Sequence, residues 1–209
     1  MSITLIIVAI TVLASIQAFN NLSIFDKFRH APYIEHRHKE YYRWLTSGFL
    51  HVDYIHLAVN MFVFYQFGEA VEGIYQDIFS SELGGSLLFL LMYLTSIVCG
   101  DLVTFVKHKD NPYYTAVGAS GGVSGVLFAF VLFSPWSEIR LYGIIPLPTI
   151  AWGVLYLAYE QWASRNSKDN IGHDAHFFGA LAGMVVTIVL EPKILTYFVD
   201  QIVNKSPYW

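Results

Sequence analysis

Charge is scarce in this sequence: Asp, Glu, Lys and Arg make up 13% of its 209 residues, about half the roughly 25% of an ordinary soluble domain. The apolar share is 55% and the mean hydropathy +0.47, too much apolar surface for so few charges to keep in water, so the composition calls for a lipid solvent. Basic residues are also outnumbered, 12 against 16 acidic, for a net charge of −4. No basic stripe is left to follow a phosphate backbone, which excludes nucleic acid as a partner. The single cysteine, Cys99, forms neither an internal disulfide nor a thiolate cluster and tells nothing of the redox compartment. Internal repeats and low-complexity segments are lacking too, which leaves one all-α domain over residues 1–209.

The charges collect between apolar runs. Six stretches approach the ~20 residues that span a bilayer: Ile3–Phe19, His56–Tyr75, Gly85–Val106, Gly118–Phe133, Ile145–Trp162 and Ala175–Leu190. The first lacks a positive leading region and reads as a retained helix rather than a signal peptide. Asn20 to Ile55 carries Lys27, Arg29, Arg37, Lys39 and Arg43 among many aromatics, a pattern that predicts a long, partly helical interfacial loop. A helix over Gly118–Phe133 would rise only about 24 Å at ~1.5 Å per residue, short of the ~30 Å hydrocarbon core. Its start is therefore expected below the membrane surface, with Tyr113–Val117 descending into a wet cavity lined by other helices. The start at Ala175 follows the same logic.

Alternate helices run in opposite directions, so the starts of the second, fourth and sixth spans share one side of the membrane. Those starts carry His56 and Asn60, Ser120, and His176. Acyl transfer needs such a set: a serine hydroxyl, an imidazole to take its proton, and donors where the oxyanion develops. Small residues four apart, Gly121 and Gly125 on one helix and Ala175, Gly179 and Gly183 on the other, allow close backbone approach. Each feature also has a plain structural explanation. Glycines in apolar helices usually serve packing, and a membrane-helix serine usually bonds back to a carbonyl. Buried histidine and asparagine are costlier at that depth and point to function. Asp101, Glu69, Glu72, Asp174 and Glu160 are expected to pair locally or lie near interfaces.

Three segments in register, Gly118-Ala119-Ser120-Gly121, His56 to Asn60 and Ala175-His176 to Gly179 with Gly183 following, resemble the GxSG, HxxxN and AHxxGxxxG signatures of the rhomboid intramembrane proteases. Tyr42-Arg43 resembles the tryptophan–arginine pair of that family's first loop, with tyrosine in place of tryptophan, and Gly68 to Glu72 its second-helix G-x-x-x-E stretch. The resemblance implies the bacterial form of the family: a six-transmembrane-helix bundle, multi-pass in the cytoplasmic (inner) membrane, with a long first loop. It implies a Ser120–His176 dyad with no third acidic partner, no metal and no cofactor. His56, Asn60 and the Ser120 amide would form the oxyanion hole, and Arg43, Glu72, Gly118, Gly121, Gly179 and Gly183 would be structural. Its partners would be membrane lipid and transmembrane protein substrates, cleaved in or beside their spans.

Alternatives stay open. Gly122-Val123-Ser124-Gly125 is a second GxSG, so Ser124 is a possible nucleophile, one turn deeper and farther from water. A catalytically inactive relative that binds transmembrane segments is a second function class. A third makes His51, His56, His173 and His176 ligands of a transported metal ion. A serine–histidine unit needs no cation to activate its nucleophile, so cleavage of a transmembrane substrate is expected to persist in EDTA. Loss in chelator and recovery with zinc would favour the metal reading.

Overall fold

Glu72 supplies the clearest reason why the first helices assemble as they do. The computed structural model describes residues 2–141, 145–167 and 171–204. Helix α1 (Ile3–Phe19) is capped by the Ser2 hydroxyl, which accepts from the Leu5 N–H at 3.2 Å. From α5 (Tyr54–Ile78) the buried Glu72 carboxylate accepts from the N–H groups of Ile3 and Thr4, both at 2.9 Å, and from the Thr4 hydroxyl at 2.8 Å. It also accepts from Ser86 on α6 (Glu82–His108) at 2.5 Å. A helix N-terminus exposes unpaired N–H groups and a partial positive charge, so one carboxylate satisfies that end and ties three helices together.

Between α1 and α5 the chain folds into α2 (Leu22–Phe28), α3 (Pro32–His38), α4 (Arg43–Thr46) and a 3-10 turn over Ser47–Phe49. Arg43 is the pin of this stretch. Its guanidinium donates to the carbonyls of Asp26 and Arg29 at 2.6 and 3.0 Å and pairs with Glu40 at 2.6 Å. That hydrogen-bonded pairing holds the Glu40 carboxyl below its usual range.

At the centre stands α7 (Ser120–Phe133), buried from Gly121 to Phe133 at every position except Phe130. It packs backbone to backbone on α9 (His173–Leu190). A Cβ placed on Gly179 or Gly183 would lie 2.3 Å from the carbonyl oxygen of Gly121 or Gly125 respectively, and one on Gly100 of α6 would lie 2.7 Å from that of Ala175. No side chain larger than hydrogen fits at these contacts. Tyr93, Phe64, Phe89 and Tyr75 of α5 and α6 fill the core beside α7.

The fifth expected span is shorter than its apolar run. Residues Ile145–Pro148 form strand β2, antiparallel to β1 (Glu138–Leu141), and α8 begins only at Thr149 and runs to Asn166. Pro146 and Pro148 lack N–H groups, and each disfavours helical geometry in the residue before it. A further helix without a counterpart in the sequence reading, α10 (Lys193–Asn204), docks through Ile194 and Phe198. The Trp136 indole donates to its Gln201 carbonyl at 2.7 Å.

By length and composition α6 and α9 can each cross a membrane, whereas α1 and α7 are apolar but shorter. Large apolar side chains also face outward along the bundle, among them Leu13, Phe62, Leu91, Leu155 and Val189. Such a belt is out of place in water and suits lipid.

Two glycines test the packing argument. Gly183→Ala, whose methyl would meet the Gly125 carbonyl, is expected to lower the melting temperature in detergent by several degrees, since overpacking costs roughly 1–3 kcal/mol. Gly73 has nothing within 4 Å of its missing Cβ, so Gly73→Ala should hold or raise it. Equal behaviour of the two variants would refute the close-contact account.

Candidate active site

The approach to α7 is held by the first loop. His30 and Ala116 exchange backbone hydrogen bonds at 3.0 Å each way, and the Gly118 N–H donates to the Ser47 carbonyl at 3.1 Å. His30 is itself buried, its ring bonded to Glu35 at 2.8 Å and Thr104 at 2.7 Å. Gly118 then takes a φ of +136°, a region glycine enters freely, and the helix starts two residues later at Ser120. Ser120, Gly121 and Gly122 are thus in the first turn, where backbone N–H groups have no intrahelical acceptor.

Around this start lies a cavity of about 570 Å³, whose lining includes His56, Asn60, Gly118, Ser120, Ser124, Tyr156 and His176. Of the segment 113–117, Ala116 and Val117 line it too, whereas Tyr113 is exposed. The His56 ring and the Ser120 hydroxyl both lie within 3.5 Å of the point a Gly118 Cβ would occupy. Asn60 donates to the His56 carbonyl at 3.0 Å, and His56 Nδ1 is buried without a partner. Because Gly121 abuts the Ala175 carbonyl, the residues next to them, Ser120 and His176, come to the same level. The two side chains make no direct hydrogen bond.

The two candidate serines differ in their surroundings. Ser120 is half-buried at the cavity, whereas Ser124 is 5% exposed and its hydroxyl is bonded to the Tyr156 hydroxyl at 2.7 Å. Tyr156 also lies nearly parallel to the His176 ring, at 23° and 6.5 Å between centroids.

The histidines separate into two pairs. His51, fully buried, packs on His56 with ring centroids 4.9 Å apart. Burial first, then the neighbouring His56, holds the His51 imidazole down at about 3, so it is neutral. The Ser15 hydroxyl donates to the Phe49 carbonyl, which leaves its oxygen to accept from His51 Nδ1 at 3.0 Å. That tautomer turns His51 Nε2 toward the Ala119 N–H at 3.5 Å. On the other side His173 and His176 both face Glu160 of α8, the first through Nδ1 at 2.5 Å and the second through Nδ1 at 3.1 Å. Ligand atoms of these three residues lie within 4.8 Å of one another, close enough to share a cation. Among the described residues that group includes His173 and His176 but not His51 or His56, so the four histidines do not form one ligand set.

Sequence reasoning passed over Tyr156 and undervalued Glu160. They stand four apart on α8 and so share a face, a signal present in the sequence but one without a direction until α8 was docked. Asp101 and Asp174 are paired, but with residues distant in the chain, Ser47 at 2.6 Å and Lys107 at 2.6 Å.

A helical bundle with apolar spans, large apolar side chains facing outward and a cavity reached by serine, histidine and asparagine side chains at its helix starts is that of an integral membrane protein. Residues 38–193 match the Rhomboid domain, and the chain belongs to the rhomboid family. It is 29% identical over 182 residues to Rhomboid-like protein 11, chloroplastic, of Arabidopsis thaliana, covering 83% of this chain and 61% of that one. It is 30% identical over 151 residues to Rhomboid protease GluP of Bacillus subtilis, with 72% and 26% covered. With Putative rhomboid protease YdcA of the same organism the identity is 29% over 154 residues, with 74% and 69% covered. The chain thus spans less than two thirds of the first two relatives' lengths.

Proposed function

We propose that this chain is an intramembrane serine endopeptidase, a single domain crossing the membrane with α1, α5, α6, α7, α8 and α9 and cleaving transmembrane segments of other membrane proteins. A bacterial cytoplasmic membrane is the proposed location, on the likeness to the Bacillus subtilis relatives. The observation that carries the reading is the Ser120 hydroxyl, without a hydrogen-bond partner among the described residues, at the cavity that His56 and His176 also line.

In this mechanism Ser120 Oγ attacks the scissile carbonyl carbon and its proton passes to His176. The oxyanion is met by the first-turn N–H of Ser120, by His56 and by Asn60, donors fixed before the reaction and therefore effective in a low-dielectric site. Collapse of the tetrahedral intermediate passes the proton from His176 to the leaving amine. Water entering the cavity then hydrolyses the acyl-enzyme by the same route in reverse roles. Ser124, engaged by Tyr156, supports packing in this account and takes no part in the chemistry.

Ser120→Ala and His176→Ala are each expected to lower kcat on a model transmembrane substrate by about 10⁴-fold or more, with almost no further loss when combined. Ser124→Ala should keep activity while losing about 1 kcal/mol of stability with its hydrogen bond. A serine-reactive fluorophosphonate should label Ser120. Normal cleavage by both serine variants would point instead to a binding protein, and a dead Ser124→Ala beside an active Ser120→Ala would move the nucleophile one turn.

A further inference from the structure

Glu160 stands where a serine–histidine dyad has no need of a residue. It is 4% exposed, on the face of α8 that also carries Tyr156, and its Oε1 lies 3.1 Å from His176 Nδ1. Its other oxygen is held by His173 Nδ1 at 2.5 Å, one turn earlier on α9. His176 retains 15% side-chain exposure toward the cavity, so the ring has a buried edge on the carboxylate and an open edge toward the substrate. A buried carboxylate beside two imidazoles is poorly explained as packing, because an apolar residue would avoid its desolvation.

We propose that Glu160 is a positioning residue that acts through His176, making the unit a Glu160–His176–Ser120 relay rather than a dyad; this rests on the protease reading above. An ionised carboxylate only accepts hydrogen bonds, so His176 Nδ1 must carry the proton and Nε2 is left as the base. When Ser120 Oγ forms its bond to the carbonyl carbon, its proton moves to Nε2. The imidazolium so formed lies against Glu160, which stays ionised. The proton then leaves with the amine, returning the ring to its starting tautomer. His173 occupies the second oxygen and so stops the carboxylate from rotating away. Tyr156 limits the tilt of the ring from its face.

The test compares Glu160→Gln, Glu160→Asp and His173→Gln with the unaltered full chain in detergent micelles, reading kcat, KM and melting temperature on a transmembrane peptide. Glu160→Gln keeps the shape but its amide can donate to Nδ1 and favour the wrong tautomer. It should lower kcat by about 100-fold or more, as loss of the carboxylate does in serine proteases, with KM within about twofold and little change in melting temperature. Glu160→Asp, which keeps the charge, should recover part of that loss, and His173→Gln should cost about tenfold or less. Unchanged kcat in Glu160→Gln, while Ser120→Ala and His176→Ala are dead, overturns the relay and leaves the dyad. A fall matched by a lower melting temperature and equal in Gln and Asp variants overturns it in favour of a structural role. Loss of wild-type activity in EDTA overturns it in favour of a cation held by the three residues. Cleavage by Ser120→Ala and His176→Ala would instead remove the protease reading beneath it.

Discussion

Everything at the cavity depends on the contact between α7 and α9. Their backbones meet where Gly179 and Gly183 face the carbonyls of Gly121 and Gly125, with room for no Cβ between them. In lipid there is no hydrophobic gain in bringing two apolar helices together, so such contacts rest on dispersion and close fit. The consequence is chemical as well as mechanical. The first turn of one helix and the first turn of the other are set at one level, and the side chains Ser120 and His176 at those turns line the same cavity.

Most buried carboxylates among the described residues are paired, as suits a medium where an unpaired charge is expensive. Glu72 closes the N-terminus of α1 and reaches α6. Arg43 gathers carbonyls of the first loop, and the Glu35 carboxylate joins His30, the Ala31 N–H and the Trp44 indole. These pairings do not merely add stability. They hold the loop whose His30 and Ser47 support the chain leading to Ser120, so side chains distant from the cavity fix one of its walls.

At the cavity several polar groups stay uncommitted, as the buried Tyr93 hydroxyl does in the core. Among the described residues the Ser120 hydroxyl has no hydrogen-bond partner, His56 keeps one ring nitrogen unsatisfied, and Asn60 lines the same cavity. One turn away Ser124 is locked to Tyr156. Two serines with the same GxSG surroundings are thus separated by hydrogen bonding and access, not by local sequence.

Much was legible in the chain alone, because membrane helices carry strong periodic and compositional signals. The apolar runs lay near α1, α5, α6, α7 and α9, and the small-residue spacing on α7 and α9 anticipated their contact. The run at Ile145 misled because hydropathy ignores the two prolines that keep Ile145–Pro148 extended. His56, Asn60, Ser120 and His176 stood out by position on helices that start on one side, a consequence of alternation that needs no coordinates. What composition could not supply was the rotation of α8. An acidic residue on an apolar helix reads as a local pair until docking decides which way it faces, and only the tertiary structure turned Tyr156 and Glu160 inward to meet His176. Covalent order along the chain determined which chemistry was available at each helix start; packing of helices distant in sequence decided which groups touch, because side-chain contacts across 16 to 32 residues depend on rotation and depth that no local pattern encodes.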